Sequence, residues 1–328
     1  MSALIINDSE AKLSKEAGKF VVSCYGEVLQ SLPIETVDEV VILGSAMVTT
    51  PCIKECLKRG IIISYFSQCG YYNGRLVSQN HVNAKLQRQQ AALYNTPFAL
   101  ELSKSIIRAK LKNQLTVLKR YGRYIATEEI EMISICITKI PRCIDIMELM
   151  GYEGTAARYY FSGLSKCVKD EFRFKGRSKR PPLDAFNAML SMGYYILSNT
   201  MEAEIEAAGL NPYFGFMHRD IEKHATLVSD LIEEWRPIIV DSTVMAMING
   251  NEVQITEFKD EEGAILMDKS ALNRFLNKIQ KKLLVEVKYL PYETSAVAFR
   301  RAIYLQLRQL RKAIEEVNPE IYTPIIIR

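Results

Sequence analysis

Residues 215–237, GFMHRDIEKHATLVSDLIEEWRP, contain two of the chain's three histidines together with five acidic residues. A turn marked by proline and glycine comes first, and a helix is predicted to begin near Ala225. On that helix Asp230 and Glu233 are three residues apart and therefore share a face. The imidazole of His218 with two or three carboxylates is an oxygen-rich ligand set that suits Mn²⁺ or Mg²⁺. Such ions serve phosphoryl transfer by neutralising a phosphate and activating a hydroxyl.

A further carboxylate lies upstream, in the sequence GYEG of residues 151–154. Glu153 stands between two glycines just before a helical pattern, so we expect it to face a cleft with little bulk around it. Spacing alone does not bring Glu153 near His218. The alternative is a charged, solvent-facing helix whose acids serve only in caps and ion pairs.

Basic residues are concentrated in two segments, although the formal net charge is only +4. Residues 103–127 contain seven bases and no acid. Residues 166–180 contain seven more against two acids, and these bases are Lys166, Lys169, Arg173, Lys175, Arg177, Lys179 and Arg180. Bases interleaved with aromatic residues suit phosphate backbones and stacked nucleobases. The alternative for the second segment is a mobile, solvated loop.

The elements that must position these residues change in type near residue 80. Before it, short β-branched runs separated by glycine, proline and the turn-forming pair Asn73-Gly74 predict a small antiparallel β domain. One helix should interrupt this domain, beginning at Thr49-Thr50-Pro51 and ending at Gly60. From Val82 onward helical periodicity dominates. We therefore expect an α+β protein, with a β domain at residues 1–84 and a large all-α domain at residues 85–328.

Two features of the α domain follow from its pattern. Residues 184–208 form a predicted helix with an apolar stripe that faces the core, made of Phe186, Leu190, Gly193 or Tyr194, Leu197, Met201 and Ile205. The nearby tyrosines Tyr159, Tyr160, Tyr194 and Tyr195 are expected mainly to pack. Pro237 should kink or break the helix that carries Asp230 and Glu233 and so free a backbone carbonyl.

Composition and missing motifs argue against several classes. No run approaches the roughly 20 apolar residues of a membrane helix, and the first fifteen residues show no leader pattern, which predicts a cytoplasmic protein. The seven cysteines form no CxxC pair, so free thiols are expected, with Cys52 and Cys56 buried in a helix. Phosphate-binding glycine loops are absent, which disfavours nucleotide enzymes. A paired Glu-x-x-His motif is absent too, which disfavours a di-iron enzyme acting on a small molecule.

Several segments together resemble the CRISPR-associated integrase family Cas1, the nuclease-integrase of spacer acquisition. They occur in the family's order over nearly the whole chain: VVILGSAMVTTPCIKECLKRGIIISYF, GYYNGRL, NAKLQRQQ, GYEGTAARYYF, DAFNAMLSMGYYIL, AAGLNPYFGFMH and DLIEEWRPIIVD. The last three in combination are the specific part of the match.

The resemblance implies a β domain joined to a catalytic α domain, a homodimer, and one Mn²⁺ or Mg²⁺ site per subunit. It assigns the metal ligands to Glu153, His218 and Glu233, with Asp230 as an additional catalytic acid beside the site. His224 stays outside this set; we expect a surface histidine, and the alternative is a DNA contact. We expect the dimer to form through residues 1–84, because pairing would cover exposed strand edges. Asp230→Ala is expected to be milder than loss of a ligand.

The family joins the 3′-hydroxyl ends of short spacer DNA into a CRISPR repeat by transesterification, and it has associated DNA endonuclease activity. The resemblance therefore implies a metal-dependent DNA integrase and endonuclease of the prokaryotic cytoplasm. Its expected partners are spacer-precursor DNA, the CRISPR repeat, a second copy of the chain and the small protein Cas2, with no membrane. The alternative is a non-catalytic DNA-binding scaffold of a nucleoprotein complex.

Overall fold

The computed structural model describes residues 2–67, 72–76, 78 and 83–328. The chain divides into two compact units, one of residues 1–80 with 266–274 and one of residues 81–265 with 275–328. Strands dominate the first unit and helices the second, which confirms the expected α+β class. The division at residue 84 stays a prediction. It lies next to residues 79–82, including Val82, which are outside the described residues.

The elements of the N-terminal region follow one another closely. They are β1 (Ser2–Ile6), β2 (Ala11–Glu16), β3 (Lys19–Cys24), β4 (Glu27–Pro33), β5 (Val37–Leu43), β6 (Met47–Val48), α1 (Thr50–Arg59), β7 (Ile62–Phe66) and β8 (Tyr72–Leu76). They build two sheets, with strand orders β1-β5-β7-β8 and β4-β3-β2-β6.

The expected antiparallel pairing holds for β2, β3 and β4 but is wrong for most of the first sheet. There β1, β5 and β7 are parallel, with Val40 opposite both Leu4 and Ile63, and only β8 is antiparallel. Parallel neighbours need a crossover connection, and α1 lies in the connection between β5 and β7. The crossover that α1 supplies allows the parallel pairing of β5 with β7, and the segment that contains β2, β3 and β4 connects β1 to β5.

Local signals at α1 are confirmed. Thr49 is its N-cap, Pro51 lies in its first turn, and Gly60 ends it with a φ of 71°, a conformation that glycine adopts at little cost. Cys52 and Cys56 are buried in α1 and free, as expected. Cys69 lies outside the described residues.

The turn predicted at Asn73-Gly74 is wrong. Both residues lie within β8, where Gly74 has a φ of 155° and pairs with Tyr65 beside a shift of register. A glycine suits such an irregular position in a strand because it lacks a side chain.

Helices make up most of the second part of the chain. They are α2 (Ala84–Ala92), α3 (Pro97–Gly122), α4 (Thr127–Lys139), α5 (Ile146–Lys166), α6 (Ala185–Ala207), α7 (Thr226–Trp235), α8 (Ser242–Asn249), α9 (Lys269–Leu283) and α10 (Phe299–Glu316). Short strands β9 (Phe258–Glu261), β10 (Ala264–Met267), β11 (Glu286–Val287) and β12 (Val297–Ala298) lie between them, so the region is not entirely helical. The long helix α3 packs against α4, α5 and α7.

The predicted core stripe of α6 is confirmed. Asp184 caps the helix by accepting a hydrogen bond from Asn187 N, and Phe186, Leu190, Gly193, Leu197, Met201 and Ile205 are all buried. Gly193 permits a close approach, because a Cβ there would lie 2.4 Å from Val240 Cγ1. The core of the helical unit therefore includes α6 and the segment that contains Val240.

The interruption expected at Pro237 takes a specific form. After α7 the chain continues as a π-helical segment, Arg236–Asp241, and then as α8. A proline cannot donate the regular backbone hydrogen bond, and π-helical turns are frequent at functional sites. The adjoining residues of α7 and of this π-helical segment include several of the groups described below.

One expectation about Glu153 is wrong. Asp145 accepts a hydrogen bond from Glu148 N and so begins α5 at Ile146, which places Glu153 inside the helix and not before it. A Cβ on Gly151 or Gly154 would meet no atom within 4 Å, so neither glycine is required by close packing.

Among the described residues, no helix has the length and apolar character that a membrane span requires.

Candidate active site

Three helices bring two of the predicted ligands to one cation. Glu153 of α5 and Glu233 of α7 both contact the ammonium group of Lys110, which lies on α3 between them. Arg236 adds a second cation by pairing with Glu233. Glu233 and Lys110 are buried, whereas Glu153 and Arg236 keep 15% and 22% of their side chains exposed. The result is a compact cluster of two carboxylates and two cations.

The charges in this cluster support one another. Burial opposes ionisation of Glu233, but Arg236 and Lys110 outweigh it and lower the pKa of Glu233 to about 2. Burial likewise disfavours the charged form of Lys110, yet Glu233 and Glu153 raise the pKa of Lys110 above its ordinary value. A buried charge is tolerated only when it is well paired. Glu233 and Lys110 are therefore both ionised at neutral pH.

His218 is oriented by Asp230. The Nδ1 atom of His218 lies 2.6 Å from Asp230 Oδ1, and Asp230 also accepts hydrogen bonds from the backbone N–H groups of Phe216, Met217 and His218. Asp230 has no exposed surface. A carboxylate at Nδ1 places the ring proton there and leaves Nε2 as the atom that can bind a metal.

Asp230 and Glu233, although three residues apart on α7, thus engage different partners. Asp230 holds the loop of residues 216–218, and Glu233 meets Lys110 and Arg236. The loop is tightly built, because a Cβ on Gly215 would lie 2.8 Å from Asp230 Oδ2. Asp230 is therefore a positioning residue for His218.

The donor types in this cluster fit a divalent cation. Glu153 and Glu233 already share one cation, the Lys110 ammonium, and Glu233 Oε2 is buried without a hydrogen bond of regular geometry beyond that contact. His218 is near enough to Glu233 to contribute to the lowering of its pKa. In the described part of the chain, however, no three His, Cys, Asp or Glu side chains are grouped closely enough to hold one ion. Lys110 stands between the two carboxylates.

A cavity of about 710 Å³ adjoins this cluster and includes Glu153 and Lys110 in its lining. Eight of its lining residues are basic, and two are acidic. Five of the seven bases predicted from residues 166–180 lie here: Lys166, Arg173, Lys175, Arg177 and Lys179. Lys169 and Arg180 are not part of the lining. A positive cavity of this kind suits a phosphate-bearing ligand.

The basic segment is anchored to the helices. Arg177 donates hydrogen bonds to Asn187 Oδ1 at 2.8 Å and Ser191 Oγ at 3.0 Å, and its guanidinium lies over the ring of Tyr194. The rings of Phe174 and Phe186 stack at 4.1 Å. Arg177 is therefore already engaged within the protein, and the prediction that it contacts DNA directly loses support. These contacts also argue against a wholly solvated loop.

The other bases differ in availability. Lys166 pairs with the buried carboxylate of Glu129 at 2.5 Å. Arg173 pairs with the exposed Asp170 at 3.0 Å, in an ion pair of little strength. Lys175 and Lys179 are exposed. Arg173, Lys175 and Lys179 are thus the cavity bases that are best placed to meet a ligand.

Asp241 of the π-helical segment is a buried acid that lines the cavity, and Tyr194 connects it to Arg236 of the cluster. Asp241 accepts hydrogen bonds from Tyr160 at 2.9 Å and Tyr194 at 2.6 Å. Burial raises the pKa of Asp241 to about 6, although these two hydrogen bonds act to lower it. The ring of Tyr194 in turn supports the Arg236 guanidinium, 4.9 Å from the ring centroid. Tyr160 and Tyr194 therefore hydrogen-bond to Asp241 in addition to packing.

Sequence reasoning missed Lys110, Arg236 and Asp241 as members of the site. Arg236 and Asp241 stand within DLIEEWRPIIVD, one of the segments that carry the family resemblance, so the sequence marks the segment but not these two residues. His224 stays outside the cluster, as expected. His224 is half-buried and not a fully exposed histidine. Its Nε2 atom lies 3.0 Å from Ser229 Oγ, and burial lowers its pKa.

A buried acid next to Glu233 gives a test by pH. Glu234 accepts hydrogen bonds from the Tyr322 hydroxyl and from Ile325 N, yet burial raises the pKa of Glu234 to about 8. Protonated Glu234 contributes fully to stability below the unfolded pKa of about 4.3, and this contribution is lost as pH rises through 8. The glutamine in Glu234→Gln has no proton to lose in this range. The free energy of unfolding of the variant should therefore rise relative to that of wild type as pH increases from 5 to 8, by up to roughly 1.4 kcal/mol per pH unit.

Urea denaturation of both proteins at several pH values measures this difference. A difference that is constant with pH would show that Glu234 is ionised throughout the range.

Comparison with known proteins adds independent findings. A family model described as "CRISPR associated protein Cas1" matches residues 4–281. The CRISPR-associated endonuclease Cas1 of Mycobacterium tuberculosis (strain ATCC 25618 / H37Rv) is 36% identical over 326 residues, which cover 97% of this chain and 96% of that protein.

Solved structures share the fold. A chain of a "Cas6-RT-Cas1–Cas2 complex" superposes with a TM-score of 0.83 at 23% identity over 98% of this chain and about a third, 36%, of that longer chain. A "Casposase bound to integration product" gives a TM-score of 0.83 at 23% identity, covering 97% of this chain and 92% of that one. At these identities the likeness concerns the fold alone.

Proposed function

The chain belongs to the Cas1 family of CRISPR-associated proteins, and on that premise we propose that it is a metal-dependent DNA integrase and endonuclease. It joins the 3′-hydroxyl ends of short spacer DNA into a CRISPR repeat in the prokaryotic cytoplasm. The observation that carries the proposal is the meeting of Glu153 and Glu233 on one cation beside a basic cavity. The endonuclease name of the Mycobacterium tuberculosis relative and the integration product of the casposase support it.

The metal ligands are Glu153, Glu233 and His218 through Nε2, and the ion is Mn²⁺ or Mg²⁺. When bound, the ion supplies Lewis-acid polarisation of the scissile phosphate and charge neutralisation. Asp230 keeps the proton on His218 Nδ1, so that Nε2 has a free lone pair. Arg236 pairs with Glu233 and restrains its carboxylate on the metal-binding side of α7.

The reaction is an exchange of phosphodiester bonds. A 3′-hydroxyl attacks phosphorus, one P–O bond forms as another breaks, and the displaced 3′-oxygen takes up a proton. No covalent bond to the protein is needed. Positioning therefore dominates the contribution of the chain's own residues. Arg173, Lys175 and Lys179 contact DNA phosphates at the cavity and hold a strand end near Glu153.

The proposed partners follow from the same premise. A second copy of the chain pairs through residues 1–84, and a Cas2 protein completes the assembly, as the complex of the structural neighbour suggests. The strand β4 lies at a sheet edge with most of its residues exposed, which favours pairing with another chain. Light scattering that gave a single 37.4 kDa chain at micromolar concentration would contradict the dimer.

A strand-transfer assay tests the function. The protein is incubated with Mn²⁺, short duplex DNA and a supercoiled plasmid that carries a CRISPR repeat, with and without Cas2. Joined DNA that depends on the metal is the expected product. DNA binding without any joined or cleaved product would instead favour the non-catalytic scaffold.

The cavity bases should control DNA affinity through salt. Arg173→Ala with Lys175→Ala removes two phosphate contacts, so the slope of log K against log salt should flatten by roughly two units, equally for all DNA sequences. The matched control is Lys169→Ala with Arg180→Ala, which removes two exposed bases of the same segment outside the cavity lining. Titrations of duplex DNA at several salt concentrations measure both slopes.

Equal flattening in the two double variants would mean a diffuse attraction with no special role for the cavity. Unchanged slopes in both would leave the bases of residues 103–127 as the DNA-contacting surface. In this structure Lys110 is buried against Glu153 and Glu233, so it does not belong to the exposed bases of that segment.

A further inference from the structure

Lys110 occupies an unusual position for a lysine. It lies in the interior of the 26-residue helix α3, with 5% of its surface exposed, and its ammonium contacts a carboxylate on each side. Burying an ammonium costs several kcal/mol unless it is paired and hydrogen-bonded. Glu153 and Glu233 provide that pairing, and Glu153 also accepts a hydrogen bond from Lys110. The lysine and the two acids therefore depend on one another.

The partners of the two acids are not equivalent. Glu233 has a second cation, Arg236, on the same turn of helix. Lys110 is the cation that joins Glu233 to Glu153 and so holds α5 and α7 together at this point through α3. Without a cation between them, two carboxylates in a poorly solvated place would repel each other.

A divalent ion needs the same carboxylate oxygens that Lys110 contacts. An ammonium group and a metal ion cannot both take the space between Glu153 and Glu233. The ammonium is carried on a flexible four-carbon chain, and Lys110 also lines the 710 Å³ cavity, so it has open space into which to move. Arg236, held by Glu233 and by the ring of Tyr194, is more firmly fixed.

From this geometry we propose that Lys110 is a resident counter-cation that competes with the divalent metal for Glu153 and Glu233 and thereby sets the metal affinity. The inference rests on the proposed metal-dependent function. In the metal-free protein Lys110 and Arg236 together neutralise the two acids, and Lys110 keeps the site folded. Metal binding displaces the ammonium toward the cavity, where a positive charge favours the phosphate of the DNA.

The test is Mn²⁺ binding by isothermal titration calorimetry to the wild-type protein and to Lys110→Met. The variant should bind Mn²⁺ at least tenfold more tightly than wild type, because no ammonium has to be displaced. Its melting temperature in EDTA should fall, and the rise on adding Mn²⁺ should be larger. Lys110→Gln serves as a second variant, since it removes the charge but retains a hydrogen-bond donor for Glu153 and so protects the fold.

The control is Lys112→Met, which removes an ammonium from the same helix that contacts neither Glu153 nor Glu233 in the described structure. It should bind Mn²⁺ as wild type does. Wild-type binding with unchanged or weaker binding in both Lys110 variants would overturn the competition while leaving the proposed function intact. Absence of Mn²⁺ binding in wild type and in both variants would overturn the competition and the metal-dependent function together.

Discussion

Glu153→Gln and His218→Ala should each abolish joining of DNA ends in the strand-transfer assay. Removal of one ligand from a catalytic ion forfeits several kcal/mol of transition-state stabilisation, so we expect a loss of about 10³-fold or more. Both side chains keep some exposure, 15% for Glu153 and 27% for His218, and Glu233 still pairs with Lys110 when Glu153 is neutralised, so we expect the fold to be largely retained. The measurement is the yield of joined plasmid per unit time at fixed Mn²⁺.

The control for this experiment is Glu222→Gln, which neutralises an acid four residues beyond His218. Glu222 is 89% exposed and takes no part in the cluster, so full activity is expected. Circular dichroism checks that each variant is folded. Wild-type joining by either Glu153→Gln or His218→Ala would show that the ligand assignment is wrong.

Signals confined to a few neighbouring residues predicted the helix ends well. Asp184 caps α6, Gly60 ends α1, and α7 begins next to Ala225, as the sequence indicated. Such caps act through hydrogen bonds within a few residues and need no knowledge of the fold. The glycines beside Glu153 predict a helix boundary that the structure does not have, because α5 begins at Ile146 with Asp145 as its cap.

The apolar run in β5 is a sequence signal for the parallel sheet. Residues 40–43, VVIL in β5, are all buried. A continuous apolar run of this kind is typical of a strand covered on both faces, as in parallel sheets, whereas an antiparallel strand with one solvated face alternates. The turn signals around it outweighed this pattern and favoured antiparallel pairing.

The role of Lys110 could be predicted only in part. It follows Ile106 by four residues and precedes Val117 by seven, so it lies on the buried face of α3. A lysine on such a face requires an acidic partner. Its partners are 43 and 123 residues away in the chain, on helices whose packing no local pattern specifies. The resemblance to Cas1 marked the acids, but it gave no role to the lysine.

The structure adds a second role to the expectation for Asp230. As an acid beside the site, Asp230 is predicted to have a milder effect when lost than a metal ligand has. The structure shows a fully buried carboxylate that accepts three backbone hydrogen bonds and faces His218 Nδ1. Asp230 therefore supports both the fold of the loop and the orientation of His218.

Asp230→Ala should consequently lower both stability and metal binding. Each buried N–H group left without an acceptor costs about 1–3 kcal/mol, so leaving three N–H groups without their acceptor should cost roughly 3 kcal/mol or more. Loss of a carboxylate that orients a ligating histidine typically weakens metal binding by about 10–100-fold. His218→Ala retains the backbone hydrogen bonds to Asp230 and should therefore lose metal binding with a much smaller drop in melting temperature.

The comparison of these two variants in EDTA separates the structural role of Asp230 from any direct role in metal binding. Asp230→Asn should fall between them, because its single carbonyl oxygen can replace only part of the acceptor set. If Asp230→Ala melted with wild type in EDTA and lost only Mn²⁺ affinity, Asp230 would be acting as a ligand, and the loop would not depend on it. If it melted lower but bound Mn²⁺ as tightly as wild type, His218 would be oriented by other contacts. The expected result is a fall in both, since one carboxylate serves the loop and the histidine at once.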